Sequence, residues 1–154
     1  MSEPIPDALL FNGQNHSIAK ISLYRKKRSQ KEPRFEFQPR QKRTTADSDG
    51  YHCQWEVIDN CLMLRAIYAE QTTVFEPPQL AAWFCGTFVL GMSGQCFLAR
   101  HMRSYYATEL VLRFQHGRLV EQTVNDNTAK VEQLRHDHDA EFPPLEEGKI
   151  YLIE

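Results

Sequence analysis

No stretch of this 154-residue sequence approaches the roughly 20 consecutive apolar residues that a membrane-spanning helix requires. Its seven glycines form neither a dinucleotide fingerprint nor a phosphate-cradling loop. The G-x-S-x-G elbow of serine hydrolases is missing, and Ser93 between Met92 and Gly94 suits a hairpin turn better than a nucleophile. The four cysteines, Cys53, Cys61, Cys85 and Cys96, contain no C-x-x-C pair, which disfavours a zinc site built from closely spaced ligands. The opening MSEPIPDALLF carries no basic segment ahead of an apolar one, so a secretory signal is not expected. The resulting expectation is a cytoplasmic protein whose reduced thiols serve as small core hydrophobes. With 42% hydrophobic and 25% charged residues, the composition excludes a wholly disordered chain, and the length suits one domain.

The formal net charge of −2 conceals an asymmetry. Residues 1–45 carry 10 Lys+Arg against 4 Asp+Glu, whereas residues 46–154 carry 8 against 16. All ten of the first group's cations lie in residues 20–43. So dense a run of like charge cannot pack against itself, and it reads as a mobile loop or extended arm.

Elsewhere the pattern is that of short strands. Leu9, Leu10 and Phe11 run into Asn12-Gly13, a pair that tolerates the two positive φ angles of a type I′ hairpin turn, with a patchy return over residues 16–24. Residues 51–58 alternate Cys53, Trp55 and Val57 against Gln54 and Glu56; Asp59-Asn60 turns, and residues 61–68 return with Leu62, Leu64 and Ala66 in step. Pro77-Pro78 interrupts the chain before an aromatic, β-branched run at 82–90. Gly91 to Gly94 turns it into a strand at 96–101, and residues 106–114 and 119–124 form a further pair about His116-Gly117. Asn125-Asp126-Asn127 is a helix entry, with a helix over 128–136 that places Val131 and Leu134 on one face. Residues 149–153 offer a last edge strand. The fold class is therefore mainly β, an antiparallel meander forming a barrel or sandwich with one short C-terminal helix. Trp55, Trp83, Phe84, Phe88 and Phe114 are the expected bulk of its core.

Three constellations bear on function. His136-Asp137-His138-Asp139, with Glu141 near, alternates donors as a metal site would, but charge-rich stretches of this kind are commonly solvated linkers, and no metal or cofactor is assigned. Arg100-His101-Met102-Arg103-Ser104-Tyr105-Tyr106 combines residue types that dominate binding hot spots; His101, Arg103 and Glu109 would be the parts of a small nuclease, with His116 able to approach in a sheet. The basic stretch, with Arg25, Lys26, Lys27, Arg28, Lys31, Arg34, Arg40, Lys42 and Arg43, could neutralise nucleic-acid phosphates while Tyr24, Phe35 and Phe37 stack on bases. It could equally bind an acidic protein or dock on the acidic remainder of its own chain.

The segments G-Y-x-x-x-W-E-V at 50–57, L-x-L at Leu62 and Leu64, W-F-x-G-T at 83–87, His101-Met102 and E-L-x-L-x-F-x-x-G-x-L-V at 109–120 resemble a pattern of small, mostly uncharacterised bacterial single-domain proteins. The chain also looks like the immunity and antitoxin proteins of bacterial toxin or defence systems. That resemblance implies a non-enzymatic protein-binding module that neutralises a partner by steric occlusion, its acidic body steering towards a basic toxin. The expected contacts are Arg100, Arg103, Tyr105 and Tyr106, supported by Asp137, Asp139 and Glu141. The alternative is a nucleic-acid-binding accessory protein of a defence or processing complex, using the basic arm.

Overall fold

The computed structural model describes residues 5–28, 30–41, 49–93, 96–98, 103–136 and 152–153. These fall into two compact units, one drawn from Met1–Cys85 with Phe114–Leu119, the other from Gly86–Arg113 with Val120–Glu154.

The first unit begins with β1 (Asp7–Phe11) and β2 (Gln14–Ile18), antiparallel with Phe11 opposite Gln14. Asn12 and Gly13 take φ of 49° and 79°, as the I′ turn requires. After β3 (Tyr24–Lys27) and β4 (Gln30–Pro33), the strands β5 (His52–Ile58) and β6 (Cys61–Tyr68) form the long central hairpin about Asp59-Asn60, at φ 51° and 61°. β1 lies on the far side of β5 and runs parallel to it, so the meander is not antiparallel throughout. A parallel neighbour needs a long crossover, and the chain between β2 and β5, which contains the β3–β4 hairpin, supplies it.

β7 (Thr72–Leu80) is a strand where the two prolines were expected to break the chain; among the described residues it pairs with β6 alone. Val74 faces Ala66 and Gln79 faces Leu64, so residues 75–78 stand opposite the single residue Arg65. Pro77 and Pro78 therefore sit in an edge-strand bulge, where no ladder donor is demanded of them. Arg65 also bulges on its β5 side and is ion-paired through Nε with Glu56.

The tip of a later hairpin, His116-Gly117, completes this unit. Arg118 pairs with Cys61, Leu62 N–H donates to Gly117 O at 2.7 Å and Gly117 N–H donates to Phe84 O at 2.9 Å. Gly117 has φ 76°, and a Cβ there would lie 2.6 Å from the Ala81 carbonyl oxygen, so both backbone shape and space require glycine. The core holds Leu9, Ile21, Leu23, Tyr51, Trp55, Leu62, Leu64, Ile67 and Phe114. Trp55 and Phe114 are buried as expected, whereas Trp83 and Phe84 are half-buried.

The second unit contains β8 (Gly86–Ser93), β9 (Cys96–Leu98), β10 (Arg103–Tyr105), most of β11 (Thr108–Gln115) and β12 (Arg118–Asp126), the helix α1 (Thr128–His136) and β13 (Leu152–Ile153). Here β11 lies between β12 and β8, while β9 lies between β10 and β13, the latter parallel to it. Phe88, Leu90, Leu110, Leu112 and Val131 are buried. Asp126 marks the helix entry: its carboxylate accepts from the Thr128 N–H at 3.0 Å and from the Thr128 hydroxyl at 2.5 Å. Those bonds hold the exposed Asp126 carboxyl below its ordinary value. The chain is thus mainly β, with one short C-terminal helix among the described residues.

The thiols depart from expectation. Cys53 is buried and Cys61 half-buried, but Cys85 is exposed, because residues 81–84 form a turn closed by the Phe84 N–H on Ala81 O and β8 starts only at Gly86. Cys85 Sγ accepts a hydrogen bond from the His116 N–H at 3.4 Å.

Candidate functional site: a basic hairpin

The basic stretch is not an unstructured arm over its described part: residues 24–33 form an antiparallel hairpin with Tyr24 opposite Pro33, Arg25 opposite Glu32 and Lys26 opposite Lys31. Charge repulsion alone predicts an open chain, and the aromatic residues interleaved with the charges explain why it closes. At the root, Tyr24, Phe37 and Tyr51 form a cluster, with ring centroids 5.9 Å (Tyr24–Phe37), 4.9 Å (Phe37–Tyr51) and 6.1 Å (Tyr24–Tyr51) apart. Tyr51 Oη accepts from the Leu23 N–H at 3.2 Å, and Lys20 Nζ stands 4.3 Å from the Tyr51 ring while pairing with Asp49 at 3.3 Å. Behind β4, Phe35 packs on Phe75 and Trp83 at 5.3 and 5.7 Å. Contacts of this kind contribute about 0.5–1.5 kcal/mol each beyond area burial. The Arg34 N–H donates to Leu23 O at 2.8 Å, closing the base of the hairpin.

The cations divide into three sets. Arg25 is neutralised by Glu32 across the ladder at 3.0 Å. Arg34 and Arg40 are built into the fold. The Arg34 guanidinium lies 4.6 Å over the Trp83 ring, its Nε sealed without a hydrogen-bond partner; burial, and then the neighbouring Arg25, push it below its ordinary value. Arg40 Nη2 lies 2.9 Å from His52 Nδ1 and donates to Tyr68 O at 3.0 Å. Lys26, Arg28 and Lys31 remain: all three are exposed, and none has an ion pair among the described residues. Lys27 contributes a described backbone only, and Lys42 and Arg43 lie outside the described residues.

Two features of this third set run against hairpin stability. Lys26 and Lys31 are directly opposed in the ladder, a placement in which like charges repel. Arg28 occupies the turn at φ 57°, a left-handed conformation that suits Gly, Asn or Asp. Among the described residues the other hairpin turns with positive φ use Asn12-Gly13, Asp59-Asn60 and His116-Gly117, and only this one holds an arginine there.

The expected protein-contact residues are placed in part. Arg100, Asp137, Asp139 and Glu141, like His101 and His138, lie outside the described residues. Arg103 begins β10 opposite Leu98. Tyr105 is half-buried with Lys130 Nζ 5.8 Å from its ring. Tyr106 is a packing residue: it lies so close over Gly91 that a Cβ there would fall 2.4 Å from its ring. Glu109, considered for acid–base work, accepts a hydrogen bond from Asn127 Nδ2. No group of three His, Cys, Asp or Glu converges among the described residues.

Sequence reasoning missed Asp7. This carboxylate is 1% exposed, with Oδ1 accepting from the Cys53 N–H at 2.9 Å and Oδ2 from the Ile21 N–H at 3.0 Å and Trp55 Nε1–H at 2.9 Å. Burial raises its pKa, overriding the three donors, which act the other way. Burial and then the nearby Asp7 push the Cys53 thiol up as well. With its acceptor positions engaged by its own fold, Asp7 is a structural clamp. A groove of about 420 Å³ lined by Leu10, Gln54, Glu56, Arg65, Tyr68 and Val74 is similarly self-satisfied, since Asn15 pairs with Gln54 at its edge and Glu56 with Arg65.

No protein-family model, curated protein or solved structure matches this chain.

Proposed function

We propose that this chain is a nucleic-acid-binding accessory protein, non-enzymatic, that engages its target through the β3–β4 hairpin. The observation that carries the reading is the set Lys26, Arg28 and Lys31, without an ion pair among the described residues and held in a hairpin at a cost to that hairpin. Opposed lysines and a left-handed arginine weaken a hairpin by amounts of order 1 kcal/mol each, and a polyanion bound across them relieves the repulsion. Nucleic acid is the polyanion whose closely spaced phosphates gain most from such cations, through counterion release. The hairpin's described side chains include no histidine, and its one carboxylate, Glu32, is bonded to Arg25, so it supplies charge without an acid–base pair. This supports binding rather than cleavage.

The test is fluorescence anisotropy of a labelled 20-nucleotide probe, single-stranded and duplexed, between 50 and 200 mM salt. Three engaged cations give a slope of log K against log [salt] near −3, from about −0.9 per phosphate on B-form DNA. Retained affinity in a K26E/K31E variant, or binding indifferent to salt, overturns the reading.

A second reading, recognition of a protein partner in the manner of an immunity or antitoxin protein, draws support from the second unit. Val89, Met92, Val120 and Val124 on β8 and β12 are 43–65% exposed, apolar side chains of the kind a protein partner would cover. A neighbouring gene's product that copurifies with the chain, and is lost on Val89→Glu with Val124→Glu, would favour it.

A further inference from the structure

We infer that the β3–β4 hairpin is a reader of double-stranded B-form DNA, entering the major groove as a two-stranded ribbon, and is not a platform for single strands. This rests on the nucleic-acid reading above and narrows its target. Binding of single strands without sequence preference needs aromatic faces on which bases stack. The three aromatics interleaved with the basic residues are committed elsewhere. Tyr24 packs edge-to-face against Phe37 and Tyr51, Phe37 packs tilted against Tyr51, and Phe35 is held between Phe75 and Trp83. Arg34, a cation that could stack on a base, already lies on the Trp83 ring. Between Arg25 and Glu32 the hairpin carries no aromatic residue at all.

What the hairpin presents is a narrow charged ribbon. Three residue steps from the Tyr24–Pro33 pair to its last pair span about 10 Å, and its two strands lie about 4.8 Å apart. The major groove of B-form DNA, about 12 Å wide and 8.5 Å deep, admits a two-stranded ribbon. The major groove of duplex RNA is deep and narrow and does not. The cations are spaced for this entry. Arg28 stands at the turn, where the ribbon meets base edges and a guanidinium can pair with the N7 and O6 of guanine. Lys26 and Lys31 stand behind it on opposite strands, directly opposed in the ladder and so on one face of the ribbon, where they add positive charge towards the phosphates that flank the groove. Their mutual repulsion, unproductive in the free protein, is relieved when phosphates lie beside both.

The closing experiment uses the full chain with four probes at 100 mM salt: a 20-bp DNA duplex, its separated strands, the duplex RNA of the same sequence, and poly-glutamate. The expected result is duplex DNA bound at least about tenfold more tightly than any other probe. The K26E/K31E variant, with unchanged circular dichroism and melting, should bring duplex binding down to the level of the separated strands. Single strands or duplex RNA bound as tightly as duplex DNA would overturn the groove assignment while leaving the nucleic-acid reading in place. Binding of poly-glutamate alone, or of no probe, would overturn both.

Discussion

Asp7 offers the sharpest test of how this chain is held together, because one carboxylate satisfies three buried donors from distant segments. Replacing Asp7 by Ala leaves the amides of Ile21 and Cys53 and the indole N–H of Trp55 without acceptors. A buried donor stripped of its partner costs about 1–3 kcal/mol; with water entering the vacated space, the three together should destabilise the chain by about 3–5 kcal/mol. Asp7→Asn is milder. Its carbonyl can take the Oδ2 position and keep Ile21 and Trp55, but its NH₂ then faces the Cys53 N–H, so one bond is lost, at about 1–3 kcal/mol. The pH dependence separates the two substitutions from a general loosening. Burial raises the folded-state carboxyl above its ordinary 3.8, so the folded protein holds this proton more tightly than the unfolded one. The Asp7 contribution is therefore greatest below pH 3.8 and declines as pH rises through the folded value. The gap between wild type and Asp7→Asn should accordingly narrow with rising pH. Urea unfolding followed by tryptophan fluorescence at pH 4, 5, 6 and 7 reports this directly, since Trp55 is one of the three partners. An Asp7→Ala variant within about 0.5 kcal/mol of wild type, the scatter typical of surface substitutions, would refute the clamp.

Further outcomes follow from the turns and thiols. Gly117→Ala forces a Cβ onto the Ala81 carbonyl at a positive φ and should cost roughly 2–4 kcal/mol in a urea titration. Arg28→Gly should act in opposite directions on two readouts: relief of the left-handed strain stabilises the hairpin by up to about 1 kcal/mol, while nucleic-acid affinity falls and the salt slope loses about one unit. In the native protein Cys85 should react readily with a thiol reagent and Cys53 should not until the chain unfolds, which mass spectrometry of the labelled peptides would show. Asp126→Ala should fray α1, and in the wild type the same loss should appear as pH falls through a value below 3.8, because the Thr128 bonds stabilise the ionised form; helical circular dichroism would follow both.

What could be read from the sequence was whatever is decided within a few residues. Asn12-Gly13, Asp59-Asn60 and His116-Gly117 announce their hairpins because positive φ is tolerated by few residue types, and the helix at Thr128–His136 is bounded by its own cap. β7 was not legible, since Pro77-Pro78 reads as a break unless one knows that its partner strand contributes a single residue at that level. The basic hairpin was hidden for a related reason: charge density suggests an open chain, and the rings that close it, Tyr51, Phe75 and Trp83, come from elsewhere in the sequence. Of the nine cations singled out, Lys26, Arg28 and Lys31 keep an exposed role, whereas Arg34 and Arg40 support the fold. Asp7 gave no local signal, because what makes it special arrives 14, 46 and 48 residues later.

That last separation sets an order of assembly. Bringing Asp7 to Trp55 closes a separation of 48 residues, which costs more loop entropy than closing a two-residue turn. The β5–β6 hairpin, closed by a two-residue turn, has only a short loop to fix and can form by itself. β1, parallel to that hairpin's edge, is then expected to dock later, with Asp7 drawn inward at that step. On that ground the clamp is expected to work as a latch on a completed sheet rather than as its seed.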